Sequence, residues 1–230
     1  RILEKSHNLG TVVVAEKIKN EDFYNTWEKL GFGQSLGVMQ RSENSGELRH
    51  FSTWGESDKR SLSFGHGPMT TNLAQLARAY LVFANEGSIP SLKLIKTENN
   101  VDTLVPVFSS KSTKRISEIL DSVASIKGSG YRTIINGYSV AGKTGTAEMV
   151  IDGKYNKDGA KRTYFVGYSP AKNPKYIMAI RLDHPKKCFY YNNPEIKLKC
   201  EGSNSAAIAF QKAMKRILIN DPEIISQFEG

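Results

Sequence analysis

Apolar positions along the 230-residue chain follow two regimes, a helical period in the flanking regions and a period of two between them. The clearest helix covers residues 70–86. There Leu73, Leu76, Ala77, Tyr80, Leu81 and Ala84 recur at i, i+3, i+4, i+7, i+8 and i+11, on one face. Thr70 or Thr71 offers a capping hydroxyl at its start, and Gly87 suits the left-handed residue past its end. A second helix is predicted over 113–125, with Ile116, Ile119, Leu120 and Val123 on one face. A third follows Ser203 or Ser205 and carries Ala206, Phe210, Ala213, Ile217 and Leu218. Shorter helices are predicted at 9–19 and 22–29. Residues 31–67, rich in Gly, Ser and charge, read as a long irregular connection, the kind of segment that carries function.

Between the second and third helices the pattern alternates. Residues 138–146, 162–168 and 176–182 read as strands. Turn chemistry stands between them at Asp152-Gly153, at Asp158-Gly159, and from Ser169-Pro170 to Asn173-Pro174. Consecutive strands with short turns imply an antiparallel sheet. The fold class is therefore α+β, with helices flanking both faces of one sheet.

Composition narrows the function classes. With 39% hydrophobic and 24% charged residues and a mean hydropathy of −0.41, the chain is neither collagen-like, mucin-like nor wholly disordered. Its apolar runs, at 11–15 and 176–180, fall far short of the roughly 18 residues of a membrane span. No charged-then-apolar leader opens it, so a signal or anchor is expected upstream or already removed. The first residues read as the inside of a domain, as in a cut chain. The net charge is +9, but the basic residues are scattered, and their densest group at 111–115 adjoins a helical pattern. A solvated surface explains this better than a nucleic-acid footprint. Cys188 and Cys200 form no Cys-x-x-Cys, and the four His are dispersed, so metal-ligand spacing is absent. Composition leaves two readings of the cysteines open: free thiols in a reducing compartment, or a local disulfide in an exporting one.

The most informative run is Gly137-Tyr-Ser-Val-Ala-Gly-Lys-Thr144. Read literally it matches a nucleotide-binding P-loop, with Asp183 ending a later strand as a magnesium ligand. That reading requires a helix to open directly after the loop. Gly145 and Gly153 leave no room for one. The other reading takes Lys143-Thr144-Gly145 as the Lys-Thr-Gly of penicillin-recognising serine enzymes, which accompanies Ser-x-x-Lys and a Ser-x-Asn-type motif. On an edge strand it supplies a cation, hydroxyls and backbone groups to an extended substrate. Ser-x-Asn occurs twice. Ser42-Glu-Asn44 lies in a polar turn, whereas Ser6-His7-Asn8 opens a predicted helix, where Ser6 could also serve simply as its N-cap.

In order along the chain stand Lys5-Ser-His-Asn-Leu-Gly, Leu30-Gly-Phe-Gly, Ser63-Phe-Gly-His-Gly, Leu73-Ala-Gln-Leu-Ala-Arg-Ala-Tyr and Val140-Ala-Gly-Lys-Thr-Gly-Thr-Ala. Phe165-Val-Gly-Tyr-Ser-Pro and Asn173-Pro-Lys-Tyr complete the set. Together they resemble the C-terminal part of the transpeptidase domain of a class B penicillin-binding protein, most like the division type. The resemblance runs from about residue 3 to 218. It departs in having His7 inside Ser-x-Asn, an inserted segment around Cys188 and Cys200, and no Ser-x-x-Lys ahead of Ser6.

The resemblance implies a serine β-lactamase/transpeptidase-like fold, incomplete at its N-terminal side, with residues 1–230 a partial domain. It also implies septal cross-linking of peptidoglycan stem peptides through a serine acyl-enzyme that β-lactams would trap. The nucleophile would lie upstream, leaving this chain alone inactive. Ser6 would relay a proton to the departing D-alanine nitrogen, with Lys143 across the cleft, and Asn8 would orient the substrate amide. Thr144 and Thr146 would grip the terminal carboxylate beside Gly145, and the Thr146 N–H would be an oxyanion donor. No cofactor is implied. Partners would be stem peptides, β-lactams and divisome membrane proteins, with no nucleic acid. The location would be the periplasmic face of the inner membrane, anchored by an N-terminal helix outside this chain. In that oxidising compartment Cys188 and Cys200 would pair, closing a two-stranded excursion that turns at Asn192-Asn193-Pro194.

Other residues read more plainly. Ser169-Pro-Ala-Lys172 is the chain's single Ser-x-x-Lys. A nucleophile and its base need a helix to share a face at i and i+3, and Pro170 and Pro174 forbid one of any length. His66 reads as a loop-filling residue, and Trp27 and Trp54 as packing residues. The competing classes are a transpeptidase domain, a P-loop protein, and a non-catalytic relative that only binds wall peptides or division partners.

Overall fold

The structure, a computed structural model, describes residues 1–38, 43–95, 103–151, 154–155, 160–190 and 193–225. Two compact units divide it, Arg1–Ile119 and Leu120–Gly230. Among the described residues no helix is long and apolar enough to cross a membrane.

The first unit contains α1 (Asn8–Ala15), α2 (Asn20–Leu30), α3 (Glu56–Ser63) and α4 (Leu73–Ala84). The strands β1 (Ser88–Pro90) and β2 (Leu104–Pro106) then pair antiparallel, and α5 (Ser110–Val123) begins. Helix α2 stops where Gly31 turns left-handed at φ 92° and donates its N–H to Glu28 O. The Arg78 guanidinium donates to Leu30 O at 2.6 Å, satisfying a second terminal carbonyl, and burial pulls its pKa down. At α4 the cap is Asn72, one residue past the expected threonines. Its Oδ1 accepts from Gln75 N at 2.8 Å, and Gln75 Oε1 accepts from Asn72 N at 3.0 Å. The deepest positions of α4 are Gln75 and Val82, a heptad apart, while Leu73 on the expected face is exposed. Left-handed Glu86 and Gly87 follow the helix end.

Residues 31–67 are not wholly irregular. They contain a 3₁₀ turn at Phe51–Thr53 and helix α3. Helix α3 is polar except for buried Leu62, so no apolar period announces it. Its start is held by the Asp58 carboxylate, which accepts from Gly55 N at 3.0 Å. The buried amide of Gln75 pins the same region, its Nε2 donating to Gly31 O, Gln34 O and Ser45 O at 3.1, 2.9 and 2.7 Å. Trp27 and Trp54 pack 6.2 Å apart, with Phe23 against both, and Trp54 Nε1 donates to Arg49 O. They are packing residues, as read from sequence.

The second unit is built on the strands β3 (Ala141–Glu148), β4 (Val150–Ile151), β5 (Lys154–Tyr155), β6 (Lys161–Ser169), β7 (Tyr176–Asp183), β8 (Phe189–Tyr190) and β9 (Asn193–Lys197). Helices α6 (Ala206–Leu218) and α7 (Pro222–Ile225) follow. The main sheet is antiparallel in the order β3-β6-β7, with Thr144 opposite Phe165 and Phe165 opposite Ile180. Pairing puts Phe165, Met178 and Ile180 on one face, where they meet Phe210, Met214 and Leu218 of α6. The rings of Phe165 and Phe210 lie 4.6 Å apart. Full burial of each such side chain is worth about 1.5–3 kcal/mol, so this layer holds the sheet rigid. Within the unit, α6 covers one face of the sheet. The expected turns at Asp152-Gly153 and Asp158-Gly159 lie outside the described residues, as does Ser42.

Candidate active site

Strand β3 carries Lys143, Thr144, Gly145 and Thr146 and forms one edge of the sheet among the described residues. Alternation sends Thr144 and Thr146 to the face shared with Phe165 and Thr163, and Lys143 to the opposite face. Lys143 is half-buried, and its Nζ donates to Thr144 O at 3.0 Å. Burial pushes its ammonium down to about 8. The Thr144 hydroxyl reaches Ser129 Oγ at 3.4 Å. The Thr146 hydroxyl, on an exposed residue, accepts from Gly202 N at 2.9 Å. The motif thus assembles a cation and two hydroxyls along a single stretch of edge strand.

This geometry overturns the P-loop reading. Gly137 is left-handed at φ 85° inside a tight Ile135–Tyr138 bridge, and the chain then enters β3 and stays extended through Glu148. Lys143 lies within a strand, where no helix N-terminus can cradle phosphate.

Ser6 and Asn8 lie in the first unit, at the start of α1. The N-cap there is His7, whose Nδ1 accepts from Gly10 N at 3.1 Å, so Ser6 is not the cap. Ser6 itself is left-handed at φ 54°. Non-glycine residues adopt that conformation at a penalty, and such positions concentrate at functional sites. His66 stands between left-handed Gly65 and Gly67, packed beside Phe64, consistent with a loop role.

Ser169 is ruled out as a nucleophile by its surroundings. It ends β6, is fully buried, and donates from Oγ to Ser139 O at 2.8 Å. Residues 170–173 form a bend, so no helix carries Ser169 and Lys172 onto one face. Cys188 and Cys200 form a disulfide with Cα atoms 5.4 Å apart, as the resemblance implied. It closes the hairpin β8–β9, and of the expected Asn192-Asn193-Pro194 turn Asn192 lies outside the described residues. Two residues went unnoticed in the sequence, Ser129 and Gly202. Each meets a motif threonine only through tertiary contact, and no local pattern marks them.

An α+β fold whose sheet edge carries Lys-Thr-Gly-Thr defines the class of serine β-lactamase/transpeptidase-like proteins. Residues 1–215 match the penicillin binding protein transpeptidase domain. The chain belongs to that family. It is 34% identical over 223 residues to the peptidoglycan D,D-transpeptidase FtsI of Buchnera aphidicola subsp. Baizongia pistaciae, covering 94% of this chain and 36% of the relative. It is 31% identical over 194 residues to the probable peptidoglycan D,D-transpeptidase PenA of Neisseria flavescens, covering 83% of this chain and 47% of the relative. The apo transpeptidase domain of penicillin-binding protein 3 from Burkholderia pseudomallei superposes with a TM-score of 0.85 at 28% identity, over 96% of this chain and 64% of that one. The chain therefore spans between about a third and a half of these curated relatives.

Proposed function

We propose that this polypeptide is the C-terminal part of a peptidoglycan D,D-transpeptidase that works through a serine acyl-enzyme in septal wall synthesis. The observation that carries the reading is Lys143-Thr144-Gly145-Thr146 on an edge strand, with a half-buried lysine and two same-face hydroxyls. An edge strand accepts an extended peptide by main-chain pairing. The hydroxyls suit a terminal carboxylate, and Lys143 adds positive charge to the same stretch of strand.

In the proposed reaction, a serine hydroxyl supplied by a Ser-x-x-Lys outside residues 1–230 attacks the penultimate D-alanine carbonyl. The carbonyl oxygen gains negative charge, which the Thr146 N–H would stabilise as one oxyanion donor. The C–N bond then breaks, and D-alanine leaves with a proton relayed through Ser6, while Asn8 orients the substrate amide. An amine of a neighbouring stem attacks the ester, forms the cross-link and regenerates the serine. A β-lactam would acylate the same serine. Periplasmic exposure, a membrane anchor and divisome partners belong to this proposal, and the Cys188–Cys200 disulfide supports the oxidising compartment it requires.

The test uses the full-length protein with a fluorescent penicillin, and with a stem peptide ending in D-alanyl-D-alanine plus an amine acceptor. Expected are a covalent adduct on one serine of a Ser-x-x-Lys and release of D-alanine. A folded protein giving neither would overturn the reading and leave a wall-peptide binder without catalysis.

A further inference from the structure

We infer that the disulfide-closed hairpin β8–β9 is a positioning element for the Thr146 hydroxyl, acting through the backbone N–H of Gly202. The inference rests on the transpeptidase reading for the identity of the ligand, a carboxylate. Its structural half stands on the second unit alone.

Cys200 lies two residues before Gly202, so the disulfide to Cys188 fixes the chain directly upstream of the Gly202 amide. A backbone bond from Leu198 N to Cys188 O at 2.8 Å closes the same base. Downstream, the Ser205 hydroxyl donates to Glu201 O at 2.6 Å and pairs with Thr163 Oγ1 at 2.9 Å. Thr163 is the residue opposite Thr146 across the sheet. Gly202 is thus held on both sides. It also lies flat on the sheet: a Cβ there would stand 2.5 Å from Gly145 O and 2.9 Å from Tyr164 O. Only glycine brings its N–H close enough to reach Thr146 Oγ1.

The chemistry follows from the hydroxyl's inventory of one proton and two lone pairs. With the Gly202 N–H on one lone pair, the proton is directed away from that amide toward another acceptor. A substrate carboxylate is acceptor-only and takes that proton. Without the amide, an exposed threonine hydroxyl rotates among water partners and is ordered only when substrate binds. A neutral hydrogen bond of this kind changes an equilibrium by roughly fivefold.

The experiment compares the oxidised full-length protein with Cys188→Ala/Cys200→Ala, and with the parent reduced by a phosphine below its thermal transition. The reduced parent serves should the double variant fail to fold. Hydrogen exchange at the Gly202 amide is expected to accelerate when the disulfide is absent. For a D-alanyl-D-alanine donor with a free carboxylate, KM is expected to rise roughly fivefold with kcat little changed. The methyl ester of that donor, an uncharged and weaker acceptor, should lose less than the acid, and in a Thr146→Val background loss of the disulfide should change nothing further. Unchanged exchange at Gly202, or equal losses for acid and ester donors, would overturn the inference. A parent inactive on both donors would instead overturn the transpeptidase reading, and the exchange result would then judge the hairpin's coupling to Gly202 by itself.

Discussion

The ring of Phe165 occupies the space that a side chain at Gly142 would need. A Cβ there would stand 2.6 Å from Phe165 Cζ and 2.6 Å from Val166 O. This glycine, which in sequence looks like part of a phosphate loop, is a packing glycine that lets β3 lie under the aromatic core. Gly142→Ala must therefore push β3 away from β6 or force Phe165 off Phe210. Overpacking of this kind costs about 1–3 kcal/mol. Urea unfolding is expected to show that loss, with penicillin labelling reduced alongside it because Lys143 and Thr144 move with the strand. Parent-like stability would show that the strand tolerates the methyl and that the glycine has another role.

Burial lowers the Lys143 ammonium from 10.5 to about 8. Below pH 8 both folded and unfolded chains carry this proton, and the folded state bears the full penalty of the buried charge. Between pH 8 and 10.5 the unfolded chain binds more protons, so this group's contribution to stability rises with pH. Lys143→Met is accordingly expected to melt higher than the parent at pH 7, with the gap closing toward pH 10.5. Thermal melts across that range check it.

The same titration predicts an opposite trend in activity. If the charged form attracts the substrate carboxylate, kcat/KM for an acid donor should fall above an apparent pKa near 8. That descending limb should be absent for the methyl ester donor. Parallel pH profiles for the two donors decide the matter.

Gln75 presents one amide nitrogen to three main-chain carbonyls inside the first unit. Gln75→Leu leaves those oxygens without their buried donor, a loss of roughly 2–5 kcal/mol. Gln75→Glu should be worse at pH 7.5 than at pH 4.5. A buried carboxyl facing carbonyl oxygens has a raised pKa, so its protonated form is favoured in the fold and stability falls as pH climbs. Urea titrations at the two pH values are the measurement.

The 230-residue chain by itself is expected to form no penicillin adduct, because its single Ser-x-x-Lys starts at the last residue of β6 and runs into a bend, with Ser169 Oγ committed to Ser139 O. Ser169→Ala in the full-length protein should lower stability by about 1 kcal/mol and leave the labelling stoichiometry unchanged. An adduct mapped to Ser169 would sink the assignment.

Much of this protein is written in local pattern. The period of two read over residues 162–168 and 176–182 located β6 and β7, but not that β6, the central strand, is buried on both faces from Phe165 to Ser169. The spacing of Ala206, Phe210 and Ile217 specified α6. Lys143, Thr144 and Thr146 were legible because three chemical groups fall within four consecutive residues. Cys188 and Cys200 were legible as a pair once the resemblance supplied an oxidising compartment. Helix α3 was not, because a helix that buries only Leu62 has no apolar period to read. Nor was the cap at Asn72, which depends on where Gln75 sends its amide. Left-handed Ser6 and the contacts of Gly202 with Thr146 and of Ser129 with Thr144 belong to the tertiary structure alone. Residues 56 positions apart share no local period, and only the closed β3–β6 register and the disulfide-held chain beyond β9 set one amide against one hydroxyl.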